Sequence, residues 1–168
     1  MKLYSRGYIF LNMFVLLSAS LFLVSCNKDE TTIGPNSGST SAGSTYLIFK
    51  VNGIAMDLSN SATGYYSTSS SSPGTYITSS PSGFTYPELD LGFPGKTTGT
   101  FTDANGAWLD YTDANNVDYY YNPSTCSITV TQYGNVGGYI VGTFTAIKHS
   151  SNSTATITEG KFSVKRTY

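Results

Sequence analysis

Charge is scarce in this 168-residue chain, where Asp, Glu, Lys and Arg make up 11% of the residues, against about 25% in a typical globular protein. Strong helix formers are scarce too. Ser (24) and Thr (23) together supply 47 residues and Gly adds 17, all of low helical propensity, so a helical bundle is excluded. One histidine and two cysteines exclude a zinc site of the usual His/Cys composition. The sequence lacks a G-x-S-x-G nucleophile elbow and a phosphate-binding glycine loop, and no cofactor is expected. Lys and Arg are missing from Thr97 to Ile147. Without a clustered basic patch, no nucleic-acid partner is expected. What the chain does have is rings: 14% aromatic residues at a net charge of −1, enough to build a core and to exclude full disorder. One all-β domain is what remains.

The N-terminus carries the one long apolar run. Lys2 and Arg6 precede it, and it extends from Tyr8 to Val24 before Ser25-Cys26, the layout of a secretory signal peptide. Leu23-Val24-Ser25-Cys26 resembles the lipobox of bacterial lipoproteins. The resemblance implies cleavage after residue 25 and acylation of Cys26, which then serves as the lipid-attachment residue. An uncleaved anchor would need about 20 apolar residues, a length reached here only by counting Asn12 and several serines. An ordinary cleaved signal is the other alternative. Two or three acyl chains hold a protein to a bilayer lastingly, whereas one does so marginally. Asn27-Lys28-Asp29-Glu30 resembles the surface-export signal of Bacteroidota lipoproteins. It implies display outward from the outer membrane, with a periplasm-facing anchor as the alternative. Removing residues 1–25 leaves 168 − 25 = 143 residues with 9 − 2 = 7 basic and 10 acidic groups, a net charge of −3.

Residues 26–44 then read as the lipidated cysteine and a flexible Ser/Gly spacer, since Ile33 is the only large apolar side chain in 31–44. From Thr45 the period changes to two, and residues 45–168 read as a single all-β domain. Leu47, Phe49 and Val51 share one strand face, and Asn52-Gly53 marks a type I′ hairpin back into Ile54–Leu58. Shorter strands are expected at Thr63–Thr68, Thr75–Ser79, Tyr86–Leu91, Gly99–Thr102, Ala107–Tyr111 and Val117–Tyr121. Pro- and Gly-containing turns and Asn122-Pro123 separate them. Cys126–Thr131, Tyr139–Ile147 and Thr154–Thr158 alternate apolar with hydroxyl residues, an antiparallel meander solvated on one face. Glu159-Gly160 reads as a turn into Phe162 and Val164. About ten short strands predict an antiparallel β-sandwich or a calycin-like β-barrel.

Val51-Asn52-Gly53, Gly142-Thr143-Phe144 and the run Thr156-Ile157-Thr158-Glu159-Gly160-Lys161-Phe162-Ser163-Val164 carry a resemblance. They are similar to the ends of a family of small Bacteroidota lipoproteins of unknown function, in which a strand ending V-N-G opens the domain and a T-x-T-x-G-x-F-x-V hairpin closes it. The chain departs from that pattern at Met56 and in the serines around Ser67–Ser72. The resemblance implies no activity and no site residues.

Chemistry has few candidate carriers. With Cys26 lipidated, Cys126 stands alone, and its parity with Ile128 and Val130 makes it a buried small hydrophobe. His149 falls in a polar hairpin, Lys148 to Ser153, as a solvated residue. Asp103, Asp110, Asp113 and Asp118 suit Asx-turns or, alternatively, calcium, although Asp103-Ala104-Asn105-Gly106 does not fit an EF-hand. A small secreted hydrolase using Glu88, Asp90 or Asp110, with Glu159 as a further acid, would need two carboxyls facing each other across a cleft. An apolar-ligand carrier would need a hollow interior. The tyrosine runs are the most distinctive feature. Tyr119 and Tyr121 are expected on one strand face, with Trp108 nearby, as a platform for a glycan or an envelope protein. The reading is a non-catalytic binding or structural lipoprotein of the cell envelope, held at the outer membrane. If Cys26 carries the anchor, Cys26→Ser moves the protein from the membrane fraction to the soluble fraction. Equal partition of both forms would refute this.

Overall fold

The structure, a computed structural model, describes residues 43–68, 73–83 and 85–168, with the backbone alone for 121–124. The expected leader, Cys26 and the spacer as far as residue 42 lie outside the described residues. Strict alternation of apolar and hydroxyl side chains leaves the chain little choice but extended structure, and eleven strands form among these residues. They are β1 (Tyr46–Val51), β2 (Ile54–Asp57), β3 (Thr63–Ser67), β4 (Gly74–Thr78), β5 (Glu88–Pro94), β6 (Gly99–Thr102), β7 (Trp108–Thr112), β8 (Asp118–Tyr119), β9 (Tyr121–Tyr133), β10 (Tyr139–His149) and β11 (Thr154–Lys165).

The strands make two sheets, in the orders β2-β1-β11-β10-β9-β6 and β3-β4-β5-β7-β8. Neighbouring strands pair antiparallel throughout. Neither sheet closes on itself. The fold is an antiparallel β-sandwich, and the calycin-like barrel is set aside. The predicted hairpin forms at Asn52 (φ 50°) and Gly53 (φ 84°), with Val51 paired to Ile54. Both turn residues have the positive φ that a type I′ turn demands.

Each sheet buries one parity. In β10 every second residue from Ile140 to Lys148 is buried, while Thr143, Thr145 and Ile147 face out. Rings from both sheets fill the interior: Phe49 meets Tyr111 edge-on at 6.0 Å between centroids, and Phe93 stacks on Phe101 at 5.0 Å. Each fully buried Leu, Ile or Phe adds about 1.5–3 kcal/mol from apolar surface removed from water. The buried apolar residues make one contiguous cluster shared by both sheets.

Two glycines make that filling possible. Gly142 on β10 pairs with Phe162 on β11, and Gly160 on β11 pairs with Phe144 on β10. A Cβ on Gly142 would collide with the Thr129 carbonyl oxygen and the Phe162 ring, and one on Gly160 would meet the Phe144 carbonyl oxygen at 2.5 Å. The repeated Gly-x-Phe of Gly142-Thr143-Phe144 and Gly160-Lys161-Phe162 is therefore one packing unit. Each glycine leaves room for the other strand's ring, and the two rings stack at 6.3 Å.

Three expectations need correction. Glu159-Gly160 is not a turn: β11 runs unbroken from Thr154 to Lys165, and Glu159 (φ 53°) sits where the register shifts against both neighbouring strands. An extra residue in a strand produces a bulge, which sequence patterning mistakes for a reversal. Asn122-Pro123 does not separate strands but lies within β9, and the break comes two residues before Asn122, at Tyr120. Lys148 is not a loop residue. It is 5% exposed on β10, with Nζ 3.6 Å from the Asp110 carboxylate.

Since neither the Thr129 backbone nor the Phe162 ring can retreat in a filled core, Gly142→Ala is expected to cost about 2–3 kcal/mol. Urea denaturation reads this as a lower midpoint at unchanged slope. Thr143→Ala, on the outward parity, serves as the control, and equal midpoints for the two variants would refute the packing account.

Candidate functional site

The outer face of the five-stranded sheet carries the site, and register assembles it. Tyr65 on β3 pairs with Tyr76 on β4, Tyr76 with Gly92 on β5, and Gly92 with Trp108 on β7. These four positions make one row across four strands. Gly92 is the key position. A Cβ there would stand 2.5 Å from the indole Nε1 of Trp108, so the missing side chain is what lets the indole lie across β5 toward Tyr76. Tyr76 and Trp108 approach to 5.8 Å between centroids, and Tyr65 stacks on Tyr76 at 5.3 Å with the rings 11° from parallel.

A fourth ring comes from the far end of the chain. After β11, residues 166–168 cross to the smaller sheet and run beside β3, where Thr167 N–H donates to Gly64 O and Tyr66 N–H donates to Tyr168 O, both at 2.9 Å. This places the Tyr168 ring 5.2 Å from Tyr65.

Beside the aromatic row lies a polar one: Thr63, Thr78, Asp90 and Asp110 are cross-strand neighbours in turn, and Glu88, Thr112 and Asp118 form the next row. Tyr65, Tyr76, Trp108 and Tyr168 on one side, with Thr78, Glu88 and Asp90 on the other, line a cleft of about 580 Å³, within the usual range for small-molecule sites. Burial raises the Asp90 carboxyl above its ordinary value, against a lowering hydrogen bond from Thr78 and with a further raise from Asp110. Its Oδ1 is buried without a hydrogen-bond partner among the described residues. Glu88 is raised by burial, then by the charges of Asp90 and Asp118. Burial also raises Tyr65, with Tyr168 and Asp90 adding to it, so its hydroxyl stays protonated and able to donate.

The expected platform is divided by the structure. Trp108 belongs to the cleft. Tyr119 lies on β8 opposite Tyr111, on the core-facing parity, 5.7 Å from that ring, and its hydroxyl accepts from Ser153 Oγ at 3.1 Å. Tyr121 opens β9 in the other sheet, with backbone pairing to His149, and its side chain lies outside the described residues. Tyr119 and Tyr121 therefore do not share a strand face, because the chain changes sheets at Tyr120. Tyr65, from the run Tyr65-Tyr66 in which one ring is expected to face away from the core, does so, and sequence patterning does not find its companions Tyr76 and Tyr168. Their separations in sequence give no local signal, and only the alternation Glu88-Leu89-Asp90-Leu91-Gly92 hinted that β5 turns acids and a glycine outward together.

The remaining candidates resolve one by one. Glu88 and Asp90 meet in the cleft, Asp110 is beside Asp90 but engaged by Lys148, and Glu159 pairs with Lys50 at 2.7 Å on the other sheet. Asp113 caps its own loop by accepting from Asn115 N–H and Val117 N–H, and Asp103 accepts from Cys126 N–H at 2.6 Å. Asp113 thus does the expected turn chemistry, whereas the Asp103 carboxylate reaches across to β9 and Asp110 and Asp118 lie on strands. Among the described residues, no group of three or more His, Cys, Asp or Glu is placed to hold a metal ion. Cys126 is buried, and desolvation, followed by the Asp103 charge, pushes its thiol up to about 12, so it stays protonated. His149 Nδ1 lies 3.0 Å from Thr154 Oγ1 across the β10–β11 hairpin.

Scans against protein-family models, curated proteins and solved structures find no match to this chain.

Burying the Asp90 charge opposes folding once that group ionises. An acid whose folded value is raised destabilises above the unfolded value, near 3.9, and fully so above the folded one. Asp90→Asn is therefore expected to raise the thermal midpoint at neutral pH, with the gain disappearing below about pH 3. A lower midpoint at neutral pH would refute the desolvation account.

Proposed function

We propose that this is a lipid-anchored cell-envelope protein whose β-sandwich binds a glycan chain in the cleft on the outer face of the smaller sheet. The observation that carries the binding role is the row Tyr65–Tyr76–Gly92–Trp108, completed by Tyr168. Half-buried rings lining an open cleft offer apolar area at low entropic cost, and sugar rings present the apolar C–H faces that suit them. The adjacent Thr63, Thr78, Glu88 and Asp90 supply acceptors and donors for hydroxyl groups. The anchor is supported by the lipobox resemblance at Cys26, and the partners are the membrane through that lipid and the glycan through the cleft.

One observation favours a second reading, a glycan hydrolase. Glu88 and Asp90 converge in the cleft, and both are raised toward values suited to acid–base work. They stand two residues apart on one strand, so both approach a ligand from the same wall, whereas a glycosidase pair flanks the scissile bond. Binding without turnover is the better fit.

Trp108 is the only tryptophan in the chain, so its fluorescence reads the cleft directly. Titration with cell-wall oligosaccharides is expected to shift its emission. Tyr76→Ala is expected to weaken binding by about tenfold or more, as loss of a central aromatic anchor does, while Tyr119→Ala leaves it unchanged. Binding that survives Tyr76→Ala and Trp108→Ala together would refute the cleft, and release of reducing ends would favour the hydrolase.

A further inference from the structure

Charge is distributed unevenly between the two faces of the sandwich. Glu88, Asp90, Asp110 and Asp118 are the charged residues of β3, β4, β5, β7 and β8, and all four fall on the outward parity. Residues 63–119 hold one basic group, Lys96. Its ammonium lies 3.9 Å from the centroid of the Tyr66 ring, and Tyr66, next to Tyr65 on β3, points to the opposite face. Among the described residues no Lys, Arg or His lines the cleft.

Two of the four acids have partners outside the cleft: Lys148 is beside Asp110, and Thr112 donates to Asp118. Glu88 and Asp90 are the pair that line the cleft. They face each other's charge, and among the described residues no cation stands between them and Asp90 keeps one buried oxygen without a partner. A buried unpaired carboxylate oxygen is costly and calls for a donor. Tyr65, Tyr76 and Trp108 surround the same space, and their ring faces attract positive charge. Among the described residues no group of three or more His, Cys, Asp or Glu is placed to hold a metal ion, and rings beside the two acids suit a positive charge carried on an organic ligand.

We propose that the cleft selects glycans bearing a free protonated amine, amino sugars of the glucosamine type, and rejects uronic acids and sulfated or phosphorylated sugars. This rests on the glycan-binding reading above and gives it a ligand class. The ammonium sits between Glu88 and Asp90 as a donor of up to three hydrogen bonds, while the pyranose faces lie on the Tyr76 and Trp108 rings. An anionic sugar meets two carboxylates and no counter-charge.

The test is titration of Trp108 fluorescence at about pH 6, where most amines of a glucosamine oligomer, less basic than an ordinary primary amine, are protonated, with four probes. These are a glucosamine tetramer, its fully N-acetylated counterpart, a galacturonic acid tetramer and tetralysine. The glucosamine tetramer is expected to bind about tenfold tighter than the N-acetylated one, the ratio one charge-assisted hydrogen bond supplies. The galacturonate is expected not to bind. The preference should shrink at high salt and disappear in Glu88→Gln/Asp90→Asn, whose binding of the N-acetylated tetramer, retained, shows that the variant is folded. Equal binding of the amino and N-acetylated tetramers would overturn the selection and leave the glycan site standing. Binding of the galacturonate would overturn it as well, and so would tetralysine binding as tightly as the glucosamine tetramer, which would make the ligand a basic polypeptide. Failure of all three sugars would remove the glycan site itself.

Discussion

A ring laid over a glycine on the neighbouring strand is the contact on which both the interior and the cleft depend. Inside, Gly142 and Gly160 give space to Phe162 and Phe144, and β10 and β11 can come together at the centre of the six-stranded sheet only because neither position has a Cβ. Outside, Gly92 gives space to Trp108, which turns a strand side chain flat against its own sheet. Lying over Gly92, the indole extends across β5 toward Tyr76. The same steric device stabilises packing in one place and prepares a surface in the other.

Much of the architecture was legible because alternation is a local property. Val51-Asn52-Gly53-Ile54 specified its own hairpin, Gly99–Thr102 emerged as the strand its residues predicted, and the buried parity of β9 is the parity read from Cys126, Ile128 and Val130. Local patterns fail where a strand keeps going through an irregularity. Glu159 has the look of a turn residue beside a glycine, yet pairing with β10 on one side and β1 on the other holds the chain straight past it. At Tyr120 the reverse happened: three consecutive tyrosines look like one strand, and the chain changes sheets among them.

The cleft was legible only in fragments. Glu88, Asp90 and Trp108 were each singled out, for different reasons, and the structure brings all three together. What joins them is the register of four strands drawn from residues 63–112, with a ring from residue 168. Sequence patterning gives the face a residue occupies but not its neighbour on the next strand, and a site written across strands depends on the latter. Tyr119 shows the converse. It is an aromatic residue in a conspicuous run, and it packs against Tyr111 on the core-facing side.

The return of residues 166–168 along β3 has an effect beyond supplying the Tyr168 ring. A sheet margin with unsatisfied amides is a template for strand exchange between molecules. Here Gly64 O and Tyr66 N–H, which an incoming strand would use, are already taken by Thr167 and Tyr168. The segment that completes the aromatic wall thus also occupies that margin, so three residues serve the cleft and the sheet edge at once.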